Sequence, residues 1–244
     1  MSEMRDGGRL ILCGPAGSGK TEAVLAQYVE CVRTHGEDAV VLLLPTRLAA
    51  ERVRRGLVSE GRLPGLLDPR ILTFPDLAAL ILGANHERVA AISDLQQRLL
   101  MRAVTDGLCA AGELRALADM CALPGFIDGL CEFVGELKRI AVRPEQFRER
   151  LAGSGLADDR SHDLARIYEA YQARLQELGL YDDAGLFWWA RDVLQRGDRR
   201  PFEDLRVVLV DGFDDFTTTQ LQVLAALASE AERLVITLPL EADG

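Results

Sequence analysis

Lysine is almost missing from this chain. Of 28 basic residues in 244, only Lys20 and Lys138 are lysine, and the other 26 are arginine. Cysteine is sparse and scattered, with five residues at 13, 31, 109, 121 and 131 and no pair at CxxC spacing. The three histidines stand far apart at 35, 86 and 162. An odd cysteine count at irregular spacing argues against a disulfide framework or a zinc site and predicts buried free thiols. Positive charge is also short. The formal net charge is −10, which gives no support to a protein that simply coats nucleic acid. No uninterrupted run of about eighteen apolar residues exists, so no membrane span is expected. The opening residues MSEMRDGGRLILCG lack the long apolar core of a secretory signal, which makes the cytoplasm the expected compartment.

What is present is an ordinary globular composition, 48% apolar and 27% charged. Residues 8–13, GRLILC, predict a short buried strand that ends at a glycine-rich turn. A helix follows from Thr21, with Val24, Leu25, Tyr28 and Val32 on one face and His35-Gly36 at its close. AVVLLLP (39–45) predicts a strand covered on both faces, RLAAERVRRGLVSE a helix, RILTF (70–74) a third strand, and PDLAALIL a helix with Pro75 in its first turn. This alternation implies a parallel sheet with crossover helices. From about residue 86 to 203 only helical patterns appear. There SDLQQRLLMRAV opens on a capping box from Ser93 to Gln96, with Leu95, Leu99, Leu100 and Val104 as its apolar stripe. Phe187, Trp188 and Trp189 read as packing more than as a binding platform. Strands return at LRVVLVDGF (205–213) and RLVITLPL (233–240). The expected organisation is thus a sheet domain, 1–85 and 204–244, interrupted by an all-helical insertion, 86–203, and it reads as the front part of something larger.

Two stretches carry chemistry. GPAGSGKT, residues 14–21, matches G-x-x-x-x-G-K-[ST] and lies between a predicted strand and a predicted helix. Gly14, Pro15, Ala16, Gly17, Ser18 and Gly19 are expected to wrap backbone N–H groups around nucleotide phosphates, with the glycines enabling the turn. Lys20 is expected to reach the outer phosphates of ATP, and the Thr21 hydroxyl to bind Mg²⁺. A slim ammonium suits such a cradle where a planar guanidinium does not. In VVLVDGF, a buried strand delivers Asp211 to its C-terminal edge, where it is expected to hold the same Mg²⁺. Lys20 and Asp211 are therefore the candidate catalytic pair. The next residue is Gly212, which has no side chain to orient an attacking water.

VDGFDDFTTTQ (210–220) resembles the VDEFQDTNxxQ segment of UvrD-type superfamily 1 DNA helicases, with Asp211, Phe213, Asp215 and Gln220 on matching positions. Gly212 and Asp214 depart from it, and the Asp-Gly pair is similar to the AddB (RexB) member of the AddAB helicase–nuclease. LLLPTRLAAERVRRGL (42–57) and ILTFPDLAALIL (71–82) resemble helicase segments that touch single-stranded DNA. The resemblance implies a RecA-like P-loop NTPase fold, an AddA-like helicase partner, and DNA ends as substrate in double-strand break repair. It also implies candidate DNA contacts at Thr46, Arg47, Thr73 and Phe74, and coupling roles for Asp214, Asp215 and Gln220. The adenine-reading glutamine of such helicases has no counterpart, since none of the thirteen residues before Gly14 is Gln. A second lobe and a nuclease domain have no counterpart either. Taken alone, the residues also fit a non-motor P-loop protein whose nucleotide site is structural or regulatory, or a small-molecule kinase. Without a carboxylate after Asp211, slow hydrolysis is expected.

Overall fold

The computed structural model describes residues 2–6, 8–85, 90–155 and 158–240, the first of these by backbone alone. The chain runs through β1 (Ser2–Asp6), β2 (Arg9–Gly14), α1 (Lys20–His35), β3 (Val40–Leu43), α2 (Arg47–Ser59), β4 (Ile71–Leu72) and α3 (Phe74–Ala84). Next come β5 (Ala90–Ala91), α4 (Asp94–Ala110), α5 (Phe126–Arg139), α6 (Pro144–Ser154), α7 (Asp159–Leu178), β6 (Leu180–Tyr181) and α8 (Asp183–Gln195). It closes with β7 (Val207–Val210), α9 (Thr218–Leu227) and β8 (Arg233–Pro239). Two units emerge: residues 1–86, 190–216 and 220–244 form one, and 87–189 with 217–219 form the other. The boundary expected at residue 86 lies outside the described residues.

The first unit is α/β. Its six strands are ordered β1-β2-β8-β7-β3-β4. All neighbours are parallel except β1, which runs antiparallel to β2 at the edge. β3 is buried at every residue, as its continuous VVLL run requires of a strand covered on both faces. Val24 and Tyr28 from α1, Leu57 from α2 and Leu209 and Val235 from the sheet join it in one core, each aliphatic contributing about 1.5–3 kcal/mol by burial. The sequence carries no signal for β1, because SEMRD has no β-branched or aromatic residue. The strand expected over RILTF shortens to Ile71–Leu72. Thr73 instead accepts the Asp76 N–H at 3.3 Å and caps α3, and Phe74 becomes helical. Burial works against the Asp76 carboxylate, yet the Thr73 hydroxyl and Arg47 outweigh it and hold its pKa below the usual value.

The second unit is largely helical, with two departures from expectation. β5 and β6 pair in parallel, Ala90 with Leu180 and Ala91 with Tyr181, so the segment is not free of strands. Two-residue strands show no periodicity, and only their pairing reveals them. On α4 the buried residues are Met101 and Thr105, while Leu95 and Leu99 are 63% and 61% exposed. At 3.6 residues per turn, Leu99 stands roughly 160° around the helix from Met101. The stripe expected through Leu95 and Leu99 is therefore the wrong face. Trp188 packs in this core as expected, its indole N–H donating to the Lys138 carbonyl at 3.2 Å.

Lys138 is the unexpected member of this core. Its side chain is 0% exposed. The ammonium donates to both oxygens of Asp182 at 2.9 and 2.8 Å and lies 5.3 Å from the Tyr171 ring centre and 5.6 Å from that of Trp188. Tyr171 donates its hydroxyl to Asp182 at 3.0 Å, and the Gly185 N–H donates at 2.8 Å. Burial pulls the lysine pKa down, opposed by the Asp182 charge. Lys138→Ala strands that carboxylate and is expected to destabilise the chain by about 3–5 kcal/mol. Chemical denaturation of the variant checks this, and an unchanged midpoint refutes it.

Candidate functional site

The segment between β2 and α1 passes through left-handed backbone twice, at Gly17 (φ 77°) and Gly19 (φ 84°). A Cβ at either position meets nothing within 4 Å, so conformation and not space calls for glycine. Gly14 is different. It lies in β2 in register with Pro239, and its carbonyl accepts the Leu240 N–H at 3.1 Å. The wrapping expected of Gly14 is thus carried out at Gly17 and Gly19. Gly19 N-caps α1 without a side-chain hydrogen bond, and Ala23 N donates to the Gly19 carbonyl at 3.0 Å. The N–H groups of Lys20, Thr21 and Glu22 precede that bond and have no acceptor inside the helix. The Lys20 ammonium bends back on its own loop. It donates to the carbonyls of Gly14 at 2.5 Å and Pro15 at 2.8 Å, and to Ser18 Oγ at 3.3 Å.

Asp211 follows β7 directly. The pairing of Val210 with Ile236 sets the next residues, Asp211 and Thr237, side by side. Thr237 Oγ1 donates to Asp211 Oδ1 at 2.5 Å and accepts the Gly212 N–H at 3.3 Å. Both side chains are buried, and Asp211 N donates to the Leu43 carbonyl at 3.0 Å. Gly212 itself is left-handed, φ 81°. The turn there brings Phe213 and Asp214 to the rim of a cavity of about 560 Å³. Residues 16–22, 211–214, Thr237 and Pro239 line it. Lys20, Thr21 and Asp211 therefore share one concavity at the C-terminal edge of the parallel strands, where ligands of open α/β sheets bind.

The four candidate DNA contacts sit at the starts of α2 and α3. Thr46 accepts the Ala49 N–H at 3.1 Å, and Thr73 caps α3. Arg47 is exposed and pairs with Asp76 at 2.7 Å. Phe74 is 1% exposed, with Phe213 and Phe216 edge-on at 5.3 and 6.1 Å. Its ring is enclosed by protein, which leaves no face for a base and corrects the stacking role. Asp214 lines the cavity, Asp215 is exposed outside that lining, and Gln220 is half-buried on α9.

A model of the family described as "ADDB, N-terminal" matches residues 11–244. The chain belongs to the AddB N-terminal family. Its relatives include proteins named as the B-type component of an ATP-dependent helicase/deoxyribonuclease. The one from Symbiobacterium thermophilum is 26% identical over 93% of this chain and 20% of that protein. Those from Pelotomaculum thermopropionicum and Heliobacterium modesticaldum are each 30% identical, over 93% and 96% of this chain and 20% and 19% of theirs. The chain thus spans about a fifth of the length of these AddB proteins.

Thr237 escapes a reading of the sequence alone. Its signal is a lone hydroxyl in the otherwise apolar VITL of β8. The turn at Gly212 shows in the sequence only as a lost side chain. A Cβ there sits 3.5 Å from Pro45 Cδ, an ordinary contact, so the strain of a substitution lies in the backbone. Gly212→Ala is expected to cost about 1–2 kcal/mol from the left-handed conformation alone. Urea unfolding of the variant measures it, and a wild-type midpoint contradicts the assignment.

Proposed function

We propose that this chain is the ATP-binding portion of an AddB-type component of a helicase–nuclease, with a RecA-like P-loop fold, acting on DNA ends in double-strand break repair beside an AddA-like helicase. The observation that carries the reading is the single cavity lined by the 16–22 loop, Asp211 and Thr237. An ammonium, the open N–H donors of a loop and a helix start, and a buried carboxylate are the donor set that a nucleoside triphosphate with its cation requires. In this reading Gly17, Gly19 and the first turn of α1 receive the phosphates, and Lys20 exchanges its loop acceptors for charged oxygens. Those bonds are stronger than the neutral ones it leaves. Thr21 and Asp211 hold Mg²⁺, with Thr237 fixing the orientation of the Asp211 carboxylate. The cation supplies charge neutralisation between the phosphates.

Gly212 offers nothing to orient water, and the 212 turn favours binding with slow turnover. A regulatory nucleotide site that supports docking of the helicase partner is the second reading, favoured by that same turn. The two are separated by assaying DNA-stimulated hydrolysis with the partner helicase present.

Calorimetric titration of the chain with ATP–Mg²⁺ tests the site. Lys20→Ala is expected to weaken binding roughly ten- to hundredfold, the worth of a charge-assisted bond, while leaving the circular dichroism spectrum unchanged. Equal affinity in wild type and variant defeats the assignment. Turnover by the chain alone is expected well below about 1 s⁻¹, and a faster rate abolished by Lys20→Ala shows that another group does the work of the missing carboxylate.

A further inference from the structure

Cys109 lies in the last turn of α4 and Cys121 in the segment leading to α5. Both are free thiols, and their sulfurs stand 2.7 Å apart. Closing to a covalent length of about 2.05 Å asks for well under an ångström of movement. The approach is held from several sides. Cys121 Sγ donates to the Leu117 carbonyl at 3.3 Å, and Arg102 donates to the Cys121 carbonyl at 2.7 Å. The buried Asp163 carboxylate on α7 accepts the N–H groups of Arg115, Ala116 and Leu117 at 2.9, 2.7 and 2.9 Å. Leu114, Leu117 and Cys121 are buried in the same core. The segment that carries Cys121 is therefore a fixed part of the unit.

We propose that Cys109 and Cys121 are a dithiol modification site at which a hydroperoxide closes an intrachain disulfide. Cys109 is half-buried and reachable, whereas Cys121 is 7% exposed. Burial and the neighbouring Cys109 push the Cys121 thiol up to about 12, so Cys109 is the thiol that reacts first. Its thiolate attacks the peroxide oxygen. The O–O bond breaks, Cys109 becomes a sulfenic acid and the reduced fragment leaves as water or an alcohol. The Cys121 sulfur then attacks the Cys109 sulfur, the S–O bond breaks, and the departing hydroxide takes the Cys121 proton as water. Two electrons pass from the thiols to the peroxide, and a thiol reductant reverses the step.

The test is oxidation of the folded chain with a modest excess of hydrogen peroxide, alkylation in denaturant, proteolysis without reduction and mass spectrometry. A peptide linked through Cys109 and Cys121, lighter by two hydrogens and lost on dithiothreitol treatment, is the expected product. It should form roughly tenfold or more faster in the folded chain than in urea, because the fold supplies the proximity. Cys121→Ser should leave Cys109 as a sulfenic acid that dimedone traps, and Cys109→Ser should yield no linked peptide and an alkylatable Cys121. Full alkylation of both cysteines after peroxide, a link found only between two chains, or equal rates in folded and urea-treated chain overturns the proposal.

Discussion

The bond from Thr237 to Asp211 depends on strand register, and the geometry of the cavity depends on that bond. β8 lies between β2 and β7. Through Pro239 it adjoins Gly14, where the loop begins, and through Thr237 it adjoins Asp211. One strand therefore sets the spacing of both halves of the site. A slip of one residue turns every side chain of a strand to the opposite face. It would carry the Thr237 hydroxyl away and leave a buried carboxylate without its donor, a costly state. The apolar residues of β8, Val235 foremost, oppose such a slip because the same shift would expose them.

The scarcity of lysine takes on physical meaning once both lysines are located. An ammonium has three donors on a narrow tip, and a guanidinium has five on a plane. Lys20 directs its donors at two carbonyls and a hydroxyl of one tight loop. Lys138 directs two at a single carboxylate and places its charge over two aromatic rings. An arginine at 138 would bring surplus N–H groups into a closed core with no acceptor for them. The exposed ion pairs, such as Arg47 with Asp76 and Arg62 with Glu22, use arginine, whose fork suits a carboxylate at the surface.

Elements whose signal is local were legible in advance. The β2, β3, β7 and β8 runs, the loop at 14–21 and the delivery of Asp211 to a strand end follow from apolar runs and glycine spacing. Features decided by distant partners were not. β1 is a strand because β2 offers it an edge, and β5 exists because β6, far along the chain, pairs with it. Lys138 on α5 looks like the charged end of an amphipathic helix until Asp182 is brought to it. Leu95 and Leu99 satisfy i, i+4 spacing but lie off the packed face of α4, and periodicity alone does not say which of two apolar stripes meets the core.

Gly212 shows how a conformational requirement hides behind a missing side chain. In the sequence it looks like a glutamate lost from a helicase pattern. In the fold it is a left-handed hinge whose N–H donates to Thr237 and whose turn leads into Phe213. Phe213 then stacks on Phe216 with ring centres 5.2 Å apart and packs edge-on against the buried Phe74. The aromatic cluster and the left-handed turn support each other, because the ring positions follow from the direction the chain takes after Asp211. Restoring a glutamate at 212 would place an L-side chain in a conformation that disfavours it. The backbone would relax only by disturbing that cluster. The Asp-Gly pair is thus a different solution for leaving the strand, and a carboxylate added there would not by itself recreate the helicase geometry.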